Sequence, residues 1–258
     1  MPNRPFGSRW GEPPRANIGS PTGRERQNHV DRHDPGHRGG RYRRMEAADQ
    51  LARAGVIPAV GHTEATVEQT REAFGRGARI LPHAFNAMPQ LPSREPGPLA
   101  AAIEDGHLVM ELLVDDQHVH RSLVRLLFHV AAGRIALITD AVAATGCGDG
   151  AYRLGSLEVQ VKDGRSRLRD EPDTLAGSTI FLRDALRLLQ QYGVDESAAV
   201  AAAALVPARV IGSAAPIGLL GESYAADVVI WGEDWAPWWV FADGKPLVQP
   251  STQTGGNS

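Results

Sequence analysis

A chain of 258 residues with 42% hydrophobic and 22% charged residues has the composition of an ordinary globular protein, with room for one large domain and a small appendage. Its formal net charge of -3 gives no electrostatic reason to expect nucleic acid or a membrane as a partner, and the single cysteine, Cys147, excludes an intrachain disulfide framework and fits a reducing cytoplasm. No apolar run approaches the roughly 18 residues of a membrane span, and no secretion signal is expected.

Residues 1–44 hold ten arginines, no lysine and four acidic residues, a formal +6 that leaves the remainder at -9. They also hold seven glycines, six prolines and three histidines without a periodic apolar pattern. Such a segment buries too little apolar surface to offset its ordering entropy and is expected to be disordered. Its text suits a shifted reading frame of a GC-rich gene better than a basic arm for nucleic acid.

Order is expected from Met45. MEAADQLARAG has helical spacing of Ala48, Leu51 and Ala52 and closes at Gly55. Two apolar runs follow, VIPAV and ARILP, leading to His62 and His83. Between them TEATVEQTREAFGRG predicts a helix, with Thr66 and Gln69 at capping-box spacing and Gly77 as the C-terminal cap. Strand, helix, strand is a βαβ unit, which places both strands parallel in one sheet. NAMPQLPSREPGP predicts a loop and LAAAIEDG a short helix. HLVMELLVD predicts a strand buried on both faces, ending at Asp115 shortly before His118. SLVRLLFHVAAG reads as an amphipathic helix closed by Gly133, and RIALITD as another buried strand ending in Asp140.

The texture then changes. AYRLGSLEVQVKDGRSRLRD alternates as a strand does and predicts a hairpin turning at Asp163-Gly164. TLAGSTIFLRDALRLLQQYG predicts a loop and a helix, and DESAAVAAAALVPARVIG a second helix stopping at Val206-Pro207. AADVVIWGEDWAPWWVFADGKPLV predicts two β runs joined by a tight turn, part of a small β domain in which Trp231, Trp235, Trp238 and Trp239 serve packing or an interface rather than a ligand cage. The expected division is a disordered segment over 1–44, a partial barrel over 45–212 with an inserted hairpin near 152–170, the remnant of a small β domain over 213–248, and a frayed tail over 249–258.

Four strand-like runs thus deliver His62, His83, His118 and Asp140 at their C-terminal ends, at spacings of 21, 35 and 22 residues that suit β/α units. The pattern predicts half of a (β/α)8 barrel, with these groups at the end where barrels keep their chemistry. Neutral imidazoles at successive strand ends suit a transition metal such as Zn, Fe or Co with open positions for water. A carboxylate at a later strand end can take a proton from water and pass it to a leaving group. Each reading has a plainer alternative: a histidine after a strand is often a hydrogen-bonded structural residue, and Asp140 could cap a helix over AVAATG. His107, His120 and His129 read as surface or packing residues, and Cys147 as incidental.

The motifs VGHTEAT, HAFNAMPQLPSREPG, DDQHVH, ITDAVAATG and TLAGST, in this order, resemble the N-acetylglucosamine-6-phosphate deacetylases of the amidohydrolase superfamily, over about four fifths of the chain from Ala48 to Val248. The resemblance implies the C-terminal half of a TIM-like, metal-dependent hydrolase barrel plus the remnant of a small β domain. It implies one divalent metal ion, Zn, Fe or similar, held by His62 and His83, with Asp140 as general acid/base. Asn86 and Ala87 would contact the amino sugar, His118 its phosphate, and Leu175, Ala176 and Gly177 would line the pocket. Arg94 would reach the 6-phosphate in the neighbouring subunit of a homodimer. The implied reaction is hydrolysis of the acetamide of a small-molecule sugar phosphate, N-acetylglucosamine 6-phosphate, in cytoplasmic amino-sugar catabolism. The family pattern begins upstream with four further strands, a glutamate ligand and another histidine, which residues 1–44 do not match. The chain is therefore expected to be a truncated or frame-shifted member. The alternatives are an inactive product and another amidohydrolase acting on a phosphorylated amino sugar.

Overall fold

The computed structural model describes residues 38–212 and 216–249. Helix α1 (Arg38–Arg53) begins ahead of the expected onset of order at Met45. Once the Met45–Arg53 turns exist, each further residue adds a hydrogen bond without a new nucleus, so Arg-rich text can extend the helix despite Gly39 and Gly40. The rest of the expected disordered segment, 1–37, lies outside the described residues, as does the tail from 250.

VIPAV does not form a strand of its own. It makes a single parallel bridge, Ala59 to Ile80, flanked by Val60 N–H donating to Ile80 O (2.9 Å) and Arg79 N–H donating to Pro58 O (3.1 Å). Pro58 has no N–H to give, which limits the ladder to these contacts. Helix α2 (Val67–Gly75) starts at the expected capping box, Thr66 accepting from Gln69 N and Gln69 accepting from Thr66 N. It ends in a Schellman pattern, Ala78 N–H reaching Ala73 O (3.1 Å) over Gly77 at φ +104.

Strand β1 (Ile80–Leu81) is only two residues long, cut short by Pro82. Helix α3 (Gly97–Glu104) opens at Gly97-Pro98, earlier than LAAAIEDG implied, because proline suits the first helical turn. Strand β2 (Val109–Leu113), helix α4 (Arg121–Val130) and strand β3 (Ile135–Ile138) follow as expected. The order β1-β2-β3 is parallel throughout, and a further parallel bridge joins Ala141 to Ser178 beyond β3. The sheet is an α/β layer grown in chain order. Leu81, Met110, Leu112 and Ile135 are fully buried between it and its helices, together with Leu99 of α3 and Val124 and Leu127 of α4.

The expected single hairpin is a three-stranded meander, β4 (Gly150–Leu154), β5 (Leu157–Lys162) and β6 (Arg165–Leu168), all antiparallel. Gly155-Ser156 supplies the turn that alternation alone did not reveal. Helix α5 (Leu182–Gln191) packs on β3, as does α6 (Glu196–Ala203). The chain does not stop at Pro207. Ala204 leaves helical geometry and α7 (Leu205–Val210) restarts, with Pro207 in its first turn, where a missing N–H costs nothing. The end of the described chain holds three antiparallel strands rather than two, β7 (Val228–Trp231), β8 (Pro237–Ala242) and β9 (Lys245–Val248). Trp235 is buried and donates Nε1–H to Gln190 (3.0 Å). Among the described residues no helix is long and apolar enough to cross a membrane.

Candidate active site

The paired Ala59 and Ile80 segments leave the sheet side by side, and the histidines that follow them meet. The His62 and His83 rings stand 4.6 Å apart between centroids at 87°. A Cβ on Gly61 would sit 2.3 Å from Pro82 Cγ, so these two turns close together only with glycine ahead of His62. Thr63 N–H donates to Ala87 O (3.1 Å), tying the loop after His62 to the loop after His83. The backbone of Ala87, expected to face the amino sugar, thus also joins the two histidine loops.

His83 Nδ1 lies 3.1 Å from Asn86 O. A carbonyl can only accept, so the proton of the neutral ring sits on Nδ1 and the Nε2 lone pair is left for a ligand. Burial lowers the His62 pKa below its ordinary value, the neighbouring His83 lowers it further, and Asp140 opposes both. Both effects suit imidazoles that act as neutral donors. Among the described residues no three His, Cys, Asp or Glu side chains gather as a complete metal cage.

Asp140 follows β3 and starts no helix, so the N-cap alternative fails. Its carbonyl accepts Ser178 N–H (2.8 Å) and Ser178 O accepts Val142 N–H (2.9 Å), which ties the Asp140 turn to the TLAGST loop. Gly177 is required there: at φ +62, a Cβ would stand 2.7 Å from both Asp140 O and Val142 Cγ1. Ala176 is bound from the other side, its N–H to Ser166 O (3.0 Å) and its carbonyl to Ser166 Oγ (2.7 Å). Leu175, Ala176 and Gly177 therefore form a wall attached to Asp140.

His62, His83, Ala87 and Asp140 share one further property. All take positive φ, at 46°, 30°, 50° and 47°. Each such non-glycine residue costs on the order of 1–3 kcal/mol and persists only where its surroundings enforce it, a pattern concentrated at functional sites. Phe85, at φ +75, belongs to the same turn as His83.

Two carboxylates escaped the sequence reading. Glu111 on β2 interacts electrostatically with His83 and Asp140 and accepts a hydrogen bond from the His83 backbone. Burial raises its pKa, His83 opposes that, and Asp140 adds to it. A lone acid inside the apolar run HLVMELLV was the available signal. Asp115, buried just after β2, accepts from His118 Nδ1 (2.7 Å) and from the N–H groups of Gln117 (3.0 Å) and His118 (2.9 Å). Its place shortly before His118 was visible but carried no sign of contact. His118 is engaged with Asp115, while Arg94 lies exposed on the loop ahead of α3. Asn86 is half-buried, its side-chain amide donating to Ala84 O (3.3 Å).

No protein-family model matches the chain. A putative N-acetylgalactosamine-6-phosphate deacetylase of Escherichia coli strain K12 is 38% identical over 148 residues, covering 57% of this chain and 87% of that protein. The chain belongs to the family of N-acetylgalactosamine- and N-acetylglucosamine-6-phosphate deacetylases. The N-acetylgalactosamine-6-phosphate deacetylase of Escherichia coli O157:H7 is 39% identical over 186 residues, 72% of this chain and 49% of that one. Among solved structures, a variant of N-acetyl-D-glucosamine-6-phosphate deacetylase from Mycobacterium smegmatis, in complex with N-acetyl-D-glucosamine-6-phosphate, shares 40% identity and a TM-score of 0.74, covering 80% of this chain and 55% of that chain. The chain spans about half the length of most of the curated relatives it matches, as the 49% of the O157:H7 protein illustrates. The relatives' names cover two hexosamine epimers, which leaves sugar selectivity to the site itself.

Proposed function

We propose that this chain carries part of the active site of a metal-dependent deacetylase acting on N-acetylglucosamine 6-phosphate, on a sheet that forms the C-terminal half of a (β/α)8 barrel. The observation that supports it most is the convergence of His62 and His83, with Asp140 near enough to influence the His62 ring, all three on strained turns at the ends of parallel segments. His62 and His83 would hold a divalent ion such as zinc or iron. When bound, that ion supplies Lewis-acid polarisation of the acetamide carbonyl and lowers the pKa of the attacking water. Asp140 accepts the proton of the attacking water and returns it to the amine as the C–N bond breaks, leaving acetate and glucosamine 6-phosphate. Asn86 and Ala87 meet the amino sugar, and the Leu175–Gly177 wall closes the pocket. His118 binds the phosphate, joined by Arg94 from the second subunit of a cytoplasmic homodimer. The 39% identity to an N-acetylgalactosamine-6-phosphate deacetylase favours the C4 epimer as a second reading.

Acetate release in the presence of zinc tests this. N-acetylglucosamine 6-phosphate should be hydrolysed in preference to N-acetylglucosamine, and Asp140→Asn should lower turnover by about a thousandfold or more. Faster release from the epimer selects the second reading. No release from either phosphosugar selects the inactive-product alternative for this chain, and release untouched by Asp140→Asn overturns the proposal.

A further inference from the structure

The β5–β6 hairpin presents an unusual face. Residues alternate across it, so Val159, Val161 and Ser166 are buried on one side while Lys162, Arg165, Arg167 and Arg169 stand on the other. Lys162 is directly opposite Arg165 in the ladder. Like charges in opposed positions destabilise a strand pair. The turn at Asp163-Gly164, with φ of +52 and +71, sets the register without their help, so this pairing contributes nothing to the fold.

Two of the four cations are already placed. Arg167 donates to Pro172 O (2.8 Å), and Arg169 pairs with Glu158. Lys162 and Arg165 have no ion-pair partner among the described residues, although Asp163 lies between them in sequence. All four cations line one concavity of about 410 Å³ in which Asp163 is the single lining acid, and with Glu158 balancing Arg169 at its edge the formal excess is +2. That volume lies in the range of small-ligand pockets and exceeds what one phosphate fills.

We propose that this hairpin face, whose lining includes none of His62, His83 and Asp140, is a binding site for a small compound bearing two phosphate groups. Guanidinium forks match phosphate oxygens with paired donors, and the Lys162 ammonium adds a mobile point charge. Arg167 and Arg169 form a preset rim, while Lys162 and Arg165 supply the charges that an anion relieves of their mutual repulsion. The site is independent of the deacetylase reading.

Inorganic pyrophosphate is the probe, titrated calorimetrically at low ionic strength, where such contacts are least screened. One equivalent should bind to the full chain. The Lys162→Ser/Arg165→Ser variant should bind at least about tenfold more weakly, as expected for the loss of charge-assisted hydrogen bonds. Both residues are exposed, and an unchanged melting temperature and circular dichroism spectrum establish that the variant is folded. Arg125→Ser, which removes a cation from the outer surface of α4, should leave binding unchanged. An equal loss in Arg125→Ser shows a general charge effect and overturns the site. Loss in Arg94→Ala or His118→Gln with the hairpin intact assigns the anion to the substrate pocket and equally overturns it. No heat at millimolar pyrophosphate does the same.

Discussion

At the scale of single residues, the site depends on positions where backbone conformation and packing leave no alternative. Gly177 is the sharpest case, since a methyl group there would meet Asp140 O and Val142 Cγ1 at 2.7 Å in a backbone region that L residues avoid. Gly177→Ala should lower stability by about 1–3 kcal/mol and displace the Asp140 turn. Urea denaturation reads the first effect and turnover the second. Ala176→Gly, on the same wall, should stay within about 1 kcal/mol of the parent, because it adds backbone freedom without a clash. Asp115 makes a different prediction. Burial works to raise its pKa, but hydrogen bonds from the His118 ring and from the backbone N–H groups of His118 and Gln117 outweigh it, so the net shift is downward. A carboxylate depressed in the folded state adds stability above its unfolded pKa and loses it as pH falls through the folded value. The parent should therefore exceed Asp115→Asn in urea midpoint at neutral pH, and the gap should narrow below about pH 4. A gap that stays constant down to about pH 2 shows that Asp115 acts through packing rather than charge.

Elements are held by contacts of two ranges. The Thr66–Gln69 box is local and was legible in four consecutive residues, so Thr66→Ala should cost about 1 kcal/mol, measured by thermal unfolding. The C-terminal end of α3 is held from far away. The Arg134 guanidinium, just ahead of β3, donates to Ala102 O (2.8 Å), Ile103 O (2.9 Å), Asp105 O (2.7 Å) and Leu108 O (3.2 Å). It thereby satisfies helix-end carbonyls and places a cation at the negative end of the helix dipole. Arg134→Met keeps the apolar stem and removes every donor, and should lower stability by about 2–4 kcal/mol in urea unfolding. A loss under about 0.5 kcal/mol would mean that water replaces the guanidinium there.

At the scale of the molecule, apolar surface is distributed unevenly. Leu220 is 85% exposed, and Trp238 and Leu247 on the β7–β9 sheet are 58% and 60% exposed. Large apolar side chains on an antiparallel sheet favour association between copies. Replacing Trp238 and Leu247 together by threonine should reduce the self-associated fraction seen by light scattering, with little change in thermal midpoint. An unchanged fraction would place the associating surface elsewhere.

The sequence by itself determined the order of helices and buried strands, the Thr66 cap, the Asp163-Gly164 turn and which residues end the parallel segments. These follow from periodicity and from hydrogen bonds spanning a few positions, and they are present in the text of the chain. Motif order was enough to identify the family. Only the tertiary structure decided that VIPAV pairs at one residue, that Pro207 opens a helix instead of closing one, and that β9 completes the last sheet. It alone brought Glu111 to the backbone of His83 and Arg134 to the end of α3, and it forced His62, His83 and Asp140 into positive φ. The Ala59–Ile80 bridge, the approach of Glu111 to His83 and the Arg134 contacts join groups about 20 to 35 residues apart, whose packing overrides local preference, and no short window along the chain contains both partners.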